Sequence, residues 1–98
     1  MVTKPEGIEA EYLAQFLKIQ QIFIAGLAQR MHDIQQAPDA QSRHVALHRL
    51  AGAAGGYGFS ELSLLAREAM DAESGADELM QAALQRLSKA INAVRPAS

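Results

Sequence analysis

The sequence predicts an all-α protein, an up-down-up-down four-helix bundle, and three observations lead there. Apolar residues recur at steps of three and four along most of the 98 residues. Pro38, then Gly55, Gly56 and Gly58, then Gly75 divide these runs into four. No stretch alternates with period two, and no Asn-Gly or Asp-Gly turn separates apolar runs, so no strand is read. Long helices joined by short loops pack antiparallel to their neighbours.

Taken in order, residues 1–7 are a lead-in, in which Thr3 and Glu6 have capping-box spacing. A first helix covers residues 8–36, with Ile8, Tyr12, Phe16, Ile19, Phe23, Leu27, Met31 and Ile34 on its seam. As one rod it would be roughly 43 Å long. That is long for so small a domain, so two forms stand open: one long helix, or a helix bent or broken near Leu17 to Gln21 with the early turns packing across one end of the bundle. Gly26 inside it suggests a close helix contact. Pro38 ends the first helix and Asp39 caps the second, which runs from Ala40 to Gly55 or Gly56. Ser60 is the expected cap of a third helix over residues 61–74, with Leu62, Leu65, Ala66, Ala69 and Met70 on one side. Gly75 is its C-terminal stop. The fourth helix, residues 77–94, has its seam at Met80, Leu84, Leu87, Ile91 and Val94. Asp77 and Glu78 at its start and Lys89 near its end suit the helix dipole. Residues 95–98 are a tail.

A chain of this length is expected to form one domain over residues 1–98, free-standing, with one real core. Hydrophobic residues make up 49 %, which argues against disorder. The net charge is −2 and Lys and Arg are scattered, so no nucleic-acid partner is expected. There is no cysteine, hence no disulfide, thiolate metal site or cysteine nucleophile. No apolar run approaches membrane-spanning length and the N-terminus lacks a signal-peptide core, so a cytoplasmic protein with no membrane association is expected. Neither a Walker-type loop nor a nucleotide fingerprint is present.

The chemistry-bearing stretch is His48-Arg49-Leu50-Ala51-Gly52-Ala53-Ala54-Gly55-Gly56-Tyr57-Gly58-Phe59. On a helical wheel Ala46, Leu50, Ala53 and Tyr57 lie opposite His48, while Gln41, His44, Ala51, Gly52 and Gly55 lie within about 60° of it. His48 is thus placed at the centre of the solvent face among small or polar residues. An exposed helix face ordinarily carries Lys, Glu or Gln, and a mid-helix glycine costs about 1 kcal/mol. Two explanations of Gly52 stand at this point: tight helix packing, or access for another protein to the imidazole.

These residues resemble the histidine-containing phosphotransfer domain. That family's pattern is His, any residue, a large aliphatic, usually Lys, then Gly, with a second Gly six residues later and a Leu four after that. His48, Leu50, Gly52, Gly58 and Leu62 fall in register, behind an apolar lead-in at Ala46 and Leu47. The departure is Ala51, where the family usually has Lys. The resemblance implies a phosphorelay role. His48 would accept a phosphoryl group from the aspartate of a receiver domain and pass it to another receiver. The partners would be response-regulator receivers or a hybrid histidine kinase, and the protein itself a monomer. It implies a shuttle with no kinase activity and no cofactor of the domain's own, with Mg²⁺ on the partner receiver.

His44, Arg49, Ala51, Gly52, Gly55 and Phe59 are the candidate supporting and docking residues, with Phe23 and Leu27 nearby on the first helix. His44 is placed to donate a hydrogen bond, and Arg67 to reach across from the third helix. The alternative is a module of the same fold that binds and regulates a kinase or receiver without carrying phosphate. His44 and His48 have i, i+4 metal-ligand spacing, with His32 a third candidate. Both face away from the apolar stripe, however, so no metal site is assigned. His32 is read as a surface histidine, and Asp33, Asp71 and Glu73 as solvated or paired with nearby Arg.

Overall fold

The computed structural model describes residues 6–94, with side chains from residue 10 onward. Thr3 of the expected capping box lies outside the described residues. Four helices follow one another: α1 (Glu6–Gln35), α2 (Ala40–Gly56), α3 (Ser60–Asp71) and α4 (Asp77–Ala93), with a single 3₁₀ turn, Ala72–Ser74, between the last two. Each packs on its neighbours in the chain, and α1 closes the bundle against α4. No strand occurs among the described residues.

The core is one cluster. Phe23, Leu27, Met31 and Ile34 of α1 meet Leu47, Leu50, Ala51 and Ala54 of α2. Leu62, Ala66 and Ala69 of α3 and Met80, Ala83, Leu84, Leu87 and Ile91 of α4 complete it. The α4 seam is the one its four-three spacing predicts.

The first helix takes the unbroken form. α1 is one unbroken helix of 30 residues, and the molecule is accordingly elongated, 60 Å by 24 Å by 20 Å. Nothing bends near Leu17 to Gln21, because no proline interrupts the ladder and the following helices are too short to reach the early turns. Tyr12, Leu13, Phe16, Leu17, Ile19 and Ile22 therefore stay exposed, and only the seam from Phe23 onward enters the core. Gly26 makes no close helix contact either, since a β-carbon there would meet nothing within 4 Å.

The caps explain where α2 starts and stops. Asp39 has an extended backbone and its Oδ1 accepts the Ser42 amide at 2.7 Å, the N-cap arrangement expected. At the other end the Phe59 amide donates to the Ala54 carbonyl (2.8 Å) and the Gly58 amide to that of Gly55 (3.4 Å). This is a Schellman closure with Gly58 at the position that requires positive φ, here +88°. Glycine at position 58 is thus a requirement of helix termination. Phe59, one residue on, stacks on Phe23 at 5.4 Å and locks the turn to α1.

Two other expectations about ends are corrected. Ser60 is the first residue of α3 and does not cap it; the flanking residue is Phe59, with no side-chain cap. Gly75 has extended backbone, not the left-handed stop conformation; the nearest contact of an added β-carbon would be the Cδ1 tip of the exposed Leu79 side chain at 2.9 Å, which is free to swing aside.

Candidate functional site

The orientation of α2 determines what its histidines can do. Its buried residues are Leu47, Leu50, Ala51 and Ala54. Their mean direction is rotated by about 70° from the point opposite His48. Ala46, Ala53 and Tyr57, read as the heart of the apolar stripe, are half-buried at its α1 edge. The cause is the close approach of α3. The Ser63 hydroxyl, buried on α3, donates to the Ala51 carbonyl at 2.9 Å, and Gly55 leaves room for it. Small residues on that flank let α3 move in, so burial extends round the helix toward His48.

His48 remains exposed, with His44, Gly52 and Gly55 beside it. Ala51 does not belong to this exposed set. It is only 3 % exposed and packs in the core, so its methyl group presents nothing to a partner. Leu27 is also corrected as a docking residue. Phe59 is half-buried against Phe23, and Leu27 is in the core along with Phe23 itself. Arg49 is exposed but turned toward α1, where it lines a groove with His32 and Asp33. Arg67 of α3 stands on the histidine side of the molecule, in a shallow groove with Gly55, Ser63 and Leu64.

The structure separates the two explanations of the glycines. A β-carbon on Gly52 would meet nothing within 4 Å, so no internal packing requires glycine there. Gly55 differs, because its β-carbon would touch Ser63 Oγ at 3.4 Å. Gly52 is a clearing that faces outward, one turn beyond the imidazole.

One partner was not legible in sequence. Glu73, in the 3₁₀ turn after α3, lies 3.1 Å through Oε1 from Nδ1 of His44. It pairs with this histidine rather than with an arginine or with solvent alone. The His44 and His48 rings are nearly parallel, 6° apart in plane with centroids 6.4 Å apart. They share one face without touching. His32 lies in the groove with Arg49, away from this pair. Among the described residues no three His, Cys, Asp or Glu side chains come together as a metal site. No helix among them is long and apolar enough to cross a membrane.

A helical bundle that presents an exposed histidine on its second helix, beside a cleared turn, is the architecture of a phosphotransfer module. The family model of the Hpt domain matches residues 18–97, and the chain belongs to that family. Such domains carry out histidine phosphotransfer in phosphorelays and interact with receiver domains or kinases of two-component systems. No curated protein and no solved structure matches the chain.

Proposed function

We propose that this protein is a phosphorelay intermediate in which His48 takes a phosphoryl group from a receiver-domain aspartate and yields it to a second receiver. The observation that carries the reading is the outward clearing at Gly52 beside an exposed His48, since a glycine without an internal packing neighbour leaves room for a partner's active site. In the step, the acyl-phosphate P–O bond of the receiver breaks and a P–N bond forms to the far ring nitrogen, Nε2, of His48. The aspartate leaves as a carboxylate and the imidazole releases its Nδ1 proton to solvent. The reverse sequence loads the next receiver. Such transfers depend on positioning and on neutralising charge on the equatorial oxygens. With alanine at position 51, this chain offers no cation there. The receiver, with its Mg²⁺, supplies most of that charge, and Arg67 on the α3 side of the face is the domain's own candidate contribution. No nucleotide is used.

The test is to mix the protein with phosphorylated receivers from its source and look for an acid-labile, base-stable phosphate. Peptide mapping is expected to place it on His48, and His48→Gln to leave below about a tenth of the label. Full labelling of His48→Gln would overturn the assignment.

The burial of Ala51 supports a second reading, a bundle that binds and regulates a kinase or receiver without carrying phosphate. In that case wild-type protein binds its partner but takes no label, and His48→Gln keeps the regulatory effect.

A further inference from the structure

The face holds a second imidazole, and of the two it is the one with an orienting partner. A carboxylate can only accept hydrogen bonds. The 3.1 Å contact to Glu73 therefore requires the hydrogen of His44 to be on Nδ1. A neutral ring in that tautomer carries its lone pair on Nε2. Holding an imidazole by Nδ1 against a carboxylate is how proteins fix the ring and ready the other nitrogen for chemistry. The His44 side chain is 48 % exposed, while Glu73 is more covered at 21 %, so the ring is accessible from outside while its carboxylate partner is partly covered. The ring is also nearly parallel to His48 and one helical turn away. A donor that docks over Gly52 and His48 has His44 within the same footprint.

We propose that His44 is a second phosphoryl-acceptor site, with Glu73 as the positioning residue that makes its Nε2 available. In the step, the donor's bond to phosphorus breaks as an Nε2–P bond forms. A receiver aspartate leaves as a carboxylate, or ammonia leaves when the donor is phosphoramidate. Nδ1 keeps its hydrogen, and the positive charge that develops on the ring is balanced by Glu73. The receiver as donor rests on the relay reading above; the orientation of His44 by Glu73 does not.

Two arms test it in the His48→Gln background, with His32, exposed on α1, as an internal reference. In the first, phosphoramidate is the donor and phosphate at each histidine is measured by mass spectrometry at mildly alkaline pH. His44 is expected to load faster than His32. Glu73→Ala is expected to slow His44 roughly three- to fivefold, the size of a partly exposed ion-pair contact, and leave His32 unchanged. Equal loading of the two histidines, or no effect of Glu73→Ala, overturns the proposal. In the second, a phosphorylated receiver that labels wild-type protein is the donor. The residual label is expected on His44 and is lost in the His44→Gln/His48→Gln double variant. A receiver that loads His48 in wild type but leaves His44 bare in His48→Gln overturns the second site while the relay reading stands. Wild-type protein that takes no phosphate from any receiver defeats the relay reading and the receiver as donor, and the phosphoramidate arm then decides the orientation claim alone.

Discussion

The inward and outward faces of α2 both carry small residues, alanine inward and glycine outward, yet they answer to different demands. Inward, Leu47, Leu50, Ala51 and Ala54 fill space among three other helices and are almost wholly buried. Outward, Gly52 has no neighbour at all within reach of a β-carbon. The difference teaches that small residues mean opposite things on the two faces. Ala51 and Gly55 are small so that α3 can come close. Gly52 is small although nothing in this chain comes close. Stability is therefore concentrated on one side of the helix and access on the other, and substitutions on the two sides should separate cleanly.

The largest break in that separation should come from Leu50→Ala. Leu50 is fully buried, and truncating such a side chain removes its transfer free energy and leaves a cavity. Urea unfolding should show a loss of about 2–5 kcal/mol. By contrast His48→Gln, on the exposed face, should stay within about 0.5 kcal/mol of wild type while losing most of its phosphate acceptance. A His48→Gln protein that melts like Leu50→Ala would mean that the imidazole is structural.

Gly52→Ala sharpens the comparison with a smaller effect. The added methyl meets nothing inside the protein and removes the glycine penalty in a helix. Stability should rise by about 0.5–1 kcal/mol in the same unfolding experiment. Transfer from a phosphorylated receiver should nevertheless slow by about tenfold, because a small displacement of the partner spoils in-line geometry. A gain in stability with unchanged transfer would remove the access argument for Gly52.

The same contrast shows what could be read from sequence. The seam of α4 was legible because Met80, Leu84, Leu87 and Ile91 are bulky and evenly stepped, so their direction is unambiguous. The facing of α2 was legible only approximately. Alanine carries little polarity signal, and Ala46, Ala51, Ala53 and Ala54 point different ways round the wheel. Only the approach of α3, through Ser63 and Ala51, decides which of them are covered. The apolar period of α1 was read correctly as helix, but period reports amphipathicity and not length of contact. Tyr12, Phe16 and Ile19 continue the stripe past the end of the bundle. His48 stood out because its surroundings are local in sequence. The Glu73–His44 pair did not, because its members are separated by most of α2 and all of α3.

The smallest effect belongs to the start of α2, where both faces begin. Asp39 has its carboxyl held below the ordinary value of 3.8, chiefly by the backbone amide of Ser42 and then by that residue's side chain, against a smaller opposing effect of desolvation. The sign follows from linkage. A carboxyl whose folded-state pKa is depressed stabilises the native state above its unfolded value, and that contribution disappears as pH falls through the folded pKa. Asp39→Ala should therefore lower the melting temperature at neutral pH. The gap from wild type should narrow as pH falls below 3.8 and reach its minimum once pH is below the depressed folded-state value, where neither protein has a charged cap. The cap is fully exposed and lies two turns before His48, so the substitution should fray the first turn without moving the histidine face. Phosphate acceptance at His48 should be unchanged at a temperature where both proteins are folded. A loss of acceptance matching the loss of melting temperature would show that the outward face depends on the N-terminal turn of α2, and that stability and access are less separable than the two faces of this helix indicate.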